Sequence, residues 1–245
     1  MTAAASGRLI GVGTGPGDPE LLTVKALRVL ADADVVAHFA KRGNKGNARA
    51  TVEGKLKPGV IELALHYPVT TELDRRSAGY CGAIGGFYEA SAAAVAEHLA
   101  AGRSVAVLSE GDPLFYGSYM HLHVRLSGLY PTEVVPGVTA MSGCWSSVGV
   151  PIVQGDDVLT VLPGTMEEAE LTRRLGDCDA AVVMKVGRNL PKIRRALGAS
   201  GKLDRAIYVE RGTMPNGCAQ ALRDKADDQA PYFALVLVAG WSERR

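Results

Sequence analysis

The segment Ser109-Glu110-Gly111-Asp112-Pro113-Leu114-Phe115-Tyr116-Gly117 follows a strongly apolar run, Val105 to Leu108, and precedes a helical pattern. Two carboxylates and two aromatic rings at a strand end are costly to desolvate unless they are used. Asp112 is the candidate acid/base or orienting group there. Helix capping by the same carboxylate is compatible with that role, because a cap fixes its direction. Lys185 directly follows another apolar run, Ala180 to Met184, as an ammonium that either lines a cleft or faces solvent. The sequence Gly11-Val-Gly13-Thr-Gly15-Pro-Gly17 closes the first apolar run. Turn glycines of this kind let backbone amides approach a ligand with no Cβ in the way.

Spacing excludes several familiar chemistries. Counted from Gly11, the third glycine of a G-x-G-x-x-G dinucleotide element falls on Pro16, and counted from Gly13 it falls on Asp18. No phosphate-binding G-x-x-x-x-G-K-[ST] occurs, since Gly201-Lys202 is followed by Leu203. His121 and His123 lie on a helical pattern, where residues two apart point roughly 200° away from each other and make poor co-ligands. Neither H-E-x-x-H nor G-x-S-x-G is present. Cys81, Cys144, Cys178 and Cys218 are spaced by 63, 34 and 40 residues, without the close pairs of a zinc site. No protein-held metal is expected, and the thiols read as reduced and mostly packed.

The 27 Lys and Arg stand against 26 Asp and Glu, for a net charge of +1. That balance lacks the basic excess of a protein that binds by neutralising phosphates, so no nucleic-acid partner is expected. Residues 1–8 show no basic segment leading into an apolar one, and the longest apolar runs are strand-sized. The expectation is a cytoplasmic protein with no export signal and no membrane partner.

The elements that must position these groups alternate. Apolar, β-branched runs at 8–13, 34–39, 104–109, 133–135, 158–162, 180–184, 206–209 and 234–238 read as buried strands. Helical patterns at 19–31, 83–101, 116–126, 139–148, 167–175 and 190–197 separate most of them. The expected fold class is α/β with largely parallel pairing. Glycine, 29 of 245 residues, concentrates just after strands, as in Gly111-Asp-Pro, Pro136-Gly137, Pro163-Gly164 and Gly212-Thr. In open α/β sheets ligands bind at the carboxyl edge, where such loops lie. A division near Pro136-Gly137 gives an N-terminal α/β domain, 1–136, and a C-terminal one, 137–245.

Four motifs at strand ends, in this order, carry a resemblance. Gly11-Val-Gly-Thr-Gly-Pro-Gly-Asp-Pro-Glu-Leu-Leu-Thr23-Val-Lys-Ala26, Glu110-Gly-Asp-Pro-Leu-Phe-Tyr-Gly117, Val135-Pro-Gly-Val-Thr-Ala140 and Glu210-Arg-Gly-Thr213 resemble the tetrapyrrole (corrin and porphyrin) methyltransferases over nearly the whole chain. Ala37-His-Phe-Ala-Lys-Arg-Gly43 with Gly46-Asn-Ala-Arg49, Tyr67-Pro-Val-Thr-Thr-Glu72 and Tyr232-Phe-Ala-Leu-Val-Leu-Val238 are similar to the branch of that family that methylates precorrin-2 at C-20 in cobalamin biosynthesis. The resemblance implies two α/β domains of the tetrapyrrole methylase type with an S-adenosylmethionine-binding cleft between them. It also implies a small-molecule tetrapyrrole substrate and a homodimer.

By motif matching, Pro16, Glu110, Gly111, Asp112, Phe115, Tyr116, Thr139, Ala140, Met184, Gly212 and Phe233 would line the cofactor site, many through backbone atoms. Glu110 stands where many relatives carry Gly, and Phe233 where many carry Pro. Asp112, Lys185 and Tyr232 would be the catalytic polar groups. Lys185, Lys41, Arg42, Lys45 and Arg49 are candidates for pairing with substrate carboxylates. Two alternatives stay open: a ring that already holds cobalt (cobalt-factor II), and methylation at another corrin position.

Overall fold

The structure is a computed structural model that describes residues 7–68 and 78–240, with side chains for all of these except 78–81. From residue 69 onward the Tyr67–Glu72 segment lies outside the described residues, as does the side chain of Cys81. The chain divides into two compact units, Met1–Thr139 and Ala140–Arg245. Gly137 therefore groups with the first unit, where its N–H donates to Asp112 Oδ2 at 3.1 Å.

The first unit is built on strands β1 (Leu9–Gly13), β2 (Val35–Ala40), β3 (Ile61–His66), β4 (Val105–Ser109) and β5 (Thr132–Val135), in the order β3-β2-β4-β1-β5. All four neighbouring pairs are parallel. β1 and β4 are buried along their whole length, as near-continuous apolar strands must be when helices cover both faces. Helices α1 (Val24–Asp32) and α2 (Asn47–Thr51) cover the face carrying Ile10, Val12, Val36, Ala106 and Leu108. Helices α3 (Ala78–Ala100) and α4 (Tyr119–Leu126) cover the face of Leu9, Val35, Ala37, Val105 and Val107. Thr23 starts α1 by accepting from the Ala26 N–H at 3.0 Å, which satisfies one of the free amides of the first turn.

The second unit carries β6 (Leu159–Pro163), β7 (Ala180–Met184), β8 (Ala206–Glu210), β9 (Cys218–Ala221) and β10 (Ala234–Val238), ordered β6-β7-β10-β8-β9. Here the expectation of largely parallel pairing is corrected. Only β6 and β7 run parallel, while β10 is antiparallel to both β7 and β8, and β8 is antiparallel to β9. The short connection 211–217 cannot make the crossover that a parallel pair needs, so β8 returns directly as a hairpin. Helices α6 (Glu168–Gly176) and α7 (Leu190–Ala199) pack on one face, through Leu171, Leu175, Ile193 and Leu197. Helix α5 (Ala140–Ser147) packs on the other through Cys144.

Packing tolerance differs sharply between glycines. A Cβ on Gly11 would stand 2.4 Å from the buried Tyr119 ring, whereas one on Gly198 in α7 would meet nothing within 4 Å. Gly11→Ala is expected to cost about 1–3 kcal/mol by overpacking. Gly198→Ala is expected to gain about 0.5–1 kcal/mol by restricting the unfolded chain. Urea melts of the two variants measure the opposite signs.

Candidate active site

Three loops leave the carboxyl edge of the first sheet side by side, after β1, β4 and β5. Thr14 is fully buried, and both its N–H (2.9 Å) and its Oγ1 (3.1 Å) donate to the carbonyl of Ser109. Gly15 and Gly111 exchange a pair of backbone hydrogen bonds at 3.3 and 2.8 Å. A Cβ on Gly13 would lie 2.5 Å from Gly137 N and 2.7 Å from Gly111 O, and one on Gly137 would lie 2.1 Å from Gly111 O. Backbone thus touches backbone across all three loops, and glycine is required at 13 and 137.

Asp112 closes the same junction. Its Oδ1 accepts from Leu114 N–H at 2.9 Å and its Oδ2 from Gly137 N–H at 3.1 Å. Oδ1 thus shapes the β4 loop itself, and Oδ2 ties that loop to the β5 loop. Glu110, one residue past β4, is open to solvent and takes one hydrogen bond, from Asn47 Nδ2 to Oε1 at 3.1 Å. The protein massed around it disfavours the charged form and raises its carboxyl above the ordinary range, while the Asn47 bond works the other way. Phe115 and Tyr116 pack edge to face at 4.9 Å.

The second sheet presents a comparable edge. The ends of β6, β7 and β8 and the start of β10 coincide there, because β10 runs against β7 and β8. Gly164 N–H donates to Met184 O at 2.7 Å, and Arg211 N–H donates to Phe233 O at 2.9 Å. A Cβ on Gly212 would meet Cys144 Sγ at 2.7 Å, so α5, which begins at Ala140, packs directly on this turn. Burial pushes the Cys144 thiol up to about 11, which makes it a packing group rather than a nucleophile. Tyr232 is exposed and its ring meets Phe233 edge-on at 5.0 Å.

Tyr116, Lys185 and Arg211 have φ of 55°, 57° and 49°, and they are the non-glycine residues with left-handed backbone among those described. Each lies at or shortly beyond the carboxyl end of a strand. Left-handed backbone in bulky residues costs free energy and concentrates at functional loops.

The first unit thus gathers Pro16, Glu110, Gly111, Asp112, Phe115, Tyr116 and Thr139 at one sheet edge. The second gathers Met184, Lys185, Gly212, Tyr232 and Phe233, with Ala140 heading the helix that packs on Gly212. Asp112 belongs to the first unit, and Lys185 and Tyr232 belong to the second.

One residue that motif matching left unassigned stands out. Thr213 Oγ1 is buried without a hydrogen-bond partner in the turn after β8. Its place in Glu210-Arg-Gly-Thr213 was the available signal, but an orphaned hydroxyl is visible only in three dimensions.

Among the basic candidates the structure also discriminates. Arg49 is buried and locked: its Nε and Nη2 donate to Glu62 at 2.6 and 2.9 Å and its Nη1 to Glu53 at 3.1 Å. It is a structural cation, not a free carboxylate receptor as the sequence suggested. Lys45 lies 3.5 Å from the same Glu53, while Lys41 and Arg42 make no ion pair among the described residues. Among the described residues no cluster of His, Cys, Asp and Glu could hold a metal ion, and no helix is long and apolar enough to cross a membrane.

The family described as Tetrapyrrole (Corrin/Porphyrin) Methylases matches residues 8–225. The chain belongs to the tetrapyrrole methylases. It is 70% identical over 244 residues to a precorrin-2 C(20)-methyltransferase of Sinorhizobium sp, covering 100% of both chains. It is 29% identical over 238 residues to a cobalt-precorrin-2 C(20)-methyltransferase of Salmonella typhimurium, covering 95% of this chain and 96% of that one. Its fold is similar to that in the X-ray structure of a cobalamin biosynthetic enzyme, cobalt precorrin-4 methyltransferase, with a TM-score of 0.70 over 95% of this chain and 94% of the other at 23% identity. The two α/β units are those of this family.

Two tests follow from these contacts. Gly137→Ala is expected to destabilise by about 1–3 kcal/mol, because the obstructing atoms are backbone and cannot swing aside; thermal melts measure it. Arg49 holds the Glu62 carboxyl below its ordinary value of 4.5. The resulting stability is fully present above about pH 4.5 and is lost as pH falls through the lowered value. Glu62→Gln should therefore show a shallower loss of stability than the wild type when urea midpoints are followed from pH 6 to pH 3.

Proposed function

We propose that this chain transfers a methyl group from S-adenosylmethionine to C-20 of precorrin-2, giving precorrin-3A in cobalamin biosynthesis. The observation that carries the reading is the 70% identity to a precorrin-2 C(20)-methyltransferase over the full length of both chains. The more distant likeness to a cobalt-precorrin-2 enzyme, at 29%, leaves cobalt-factor II as the competing substrate.

The residues present fit the methyl donor. Thr213 Oγ1 is a buried hydroxyl in need of a partner, and the loops beyond the strands hold left-handed backbone at Tyr116, Lys185 and Arg211. S-adenosylmethionine, when bound, supplies a methyl group already activated on a sulfonium sulfur. The protein's task is alignment, which can supply roughly 7–11 kcal/mol when donor and acceptor are held near the attack geometry. Gly13, Gly111 and Gly137 set how closely the three loops of the first unit approach, and Asp112 ties the β4 loop to the β5 loop through the Gly137 amide.

Pro16, Glu110, Gly111, Phe115, Tyr116, Thr139, Ala140, Met184, Gly212 and Phe233 are carried as cofactor contacts on the family motifs. Asp112 is carried as the orienting carboxylate. Lys185 and Tyr232, both exposed, are carried as polar partners of the substrate, and Lys41 and Arg42 as cations for its carboxylates. The protein is further read as a cytoplasmic homodimer. The free thiols of Cys144, Cys178 and Cys218 support a reducing compartment, the family resemblance supports the dimer, and light scattering tests the latter.

The decisive experiment supplies purified protein with isotopically labelled S-adenosylmethionine and, in separate reactions, precorrin-2 or cobalt-factor II, and locates the label by NMR. Label at C-20 of precorrin-2 is the expected outcome. Transfer only to the cobalt-containing ring would reassign the substrate, and transfer to C-20 of neither would overturn the reading. In parallel, Asp112→Asn replaces one acceptor oxygen by a donor facing a backbone N–H. It should lower single-turnover methylation by about 10- to 100-fold, the equivalent of one or two charge-assisted hydrogen bonds. Unchanged turnover would remove Asp112 from the site.

A further inference from the structure

C-methylation at a bridge carbon has a second half. When the π-electrons of C-20 form the new bond to the methyl carbon, the sulfur–carbon bond breaks and its pair stays on sulfur. The C-20–H bond must then release its proton so that its electron pair restores the ring's conjugation. A group within reach of C-20 has to take that proton.

The carboxyl edge of the first sheet offers two carboxylates two residues apart, Glu110 and Asp112. Asp112 has both oxygens engaged, Oδ1 by the Leu114 amide of its own loop and Oδ2 by the Gly137 amide of the β5 loop, and using either for proton transfer would weaken one of these bonds. Glu110 is anchored through one oxygen only. Asn47, at the start of α2, donates to Oε1 at 3.1 Å, and the residue remains open to solvent. Its neighbour Gly111 is fixed by the paired bonds to Gly15, so the backbone beside the carboxylate is held in place, while Oε2 takes no hydrogen bond from the described residues.

We infer that Glu110 is the proton acceptor for C-20, that Asn47 is the residue positioning it, and that Asp112 serves orientation alone. The inference rests on the proposed C-20 methylation. Glu110 Oε2 takes the C-20 proton as the ring regains conjugation, and the acid so formed returns the proton to solvent at the open face. The protein massed around this carboxyl acts to raise it, with no charged side chain contributing, and the Asn47 bond acts to lower it. A carboxylate shifted upward in this way is better matched to accepting a proton near neutral pH than an ordinary one. Loss of the Asn47 bond removes stabilisation of the charged form and must move the titration to higher pH.

The test uses the full chain with S-adenosylmethionine and precorrin-2, unlabelled or deuterated at C-20. Glu110→Gln should lower kcat by about 10²- to 10⁴-fold, the usual worth of a general base, and should abolish the acid limb of the kcat profile. Far-UV circular dichroism and the thermal melting temperature of Glu110→Gln should match wild type and serve as the control for folding. Asn47→Ala should retain activity at high pH and move the acid limb upward. Deuterium at C-20 should slow Glu110→Asp more than the wild type, because the shorter side chain makes proton removal limiting.

Wild-type methylation at C-20 together with an undiminished rate and an intact acid limb in Glu110→Gln would overturn the inference and leave the proposed function standing. Failure of the wild type to methylate C-20 would instead overturn the function itself.

Discussion

The first unit depends on one close approach: the backbones of Gly13, Gly111 and Gly137 lie where no side chain could come between them. The consequences are geometric. A parallel sheet delivers β1, β4 and β5 to the same edge with their loops directed outward, and those loops would ordinarily stand apart by the width of their side chains. With glycine at each point of contact they become one surface, stitched by Thr14 onto Ser109, by Gly15 onto Gly111 and by the Asp112 carboxylate onto Gly137. Glu110, Phe115 and Tyr116 are carried on that surface, so their positions inherit its rigidity.

The second unit reaches a comparable arrangement by different means. Its sheet is mixed, and the antiparallel insertion of β10 between β7 and β8 brings the start of one strand beside the ends of two others. Phe233 thereby comes to accept the Arg211 amide, although 22 residues separate them in the chain. The strained backbone at Lys185 and Arg211 is tolerated because neighbouring bonds over-determine it, among them Asn189 donating to the Lys185 carbonyl and the Arg211 N–H donating to the Phe233 carbonyl. Strain of this kind is retained where the direction of the loop matters more than its comfort.

Legibility in the sequence followed burial. The strands recognised by their apolar runs are those with buried or partly buried positions, such as β1, β4, β7 and β10. The two that escaped, β3 and β9, are both edge strands, with a single buried residue in β3 and none in β9. Edge strands are held by backbone pairing on one side, and backbone pairing leaves no mark in side-chain pattern. The same limit applied to charge. Arg49 looked like its basic neighbours Lys41, Arg42 and Lys45, yet it is sequestered by Glu53 and Glu62. Those partners sit 4 and 13 residues away, on the next turn and on β3.

The sequence by itself determined the α/β class, the family and the loops that matter, because glycine spacing and apolar runs are local and each reports a local physical demand. Tertiary structure alone decided the division of labour within those loops. Glu110 and Asp112 are two residues apart and chemically alike, and only the backbone amides that converge on Asp112 separate an orienting carboxylate from one with a free oxygen. Which amides converge is set by strand order and by the contact of Gly13 with Gly137, a relation across 124 residues that no local pattern encodes.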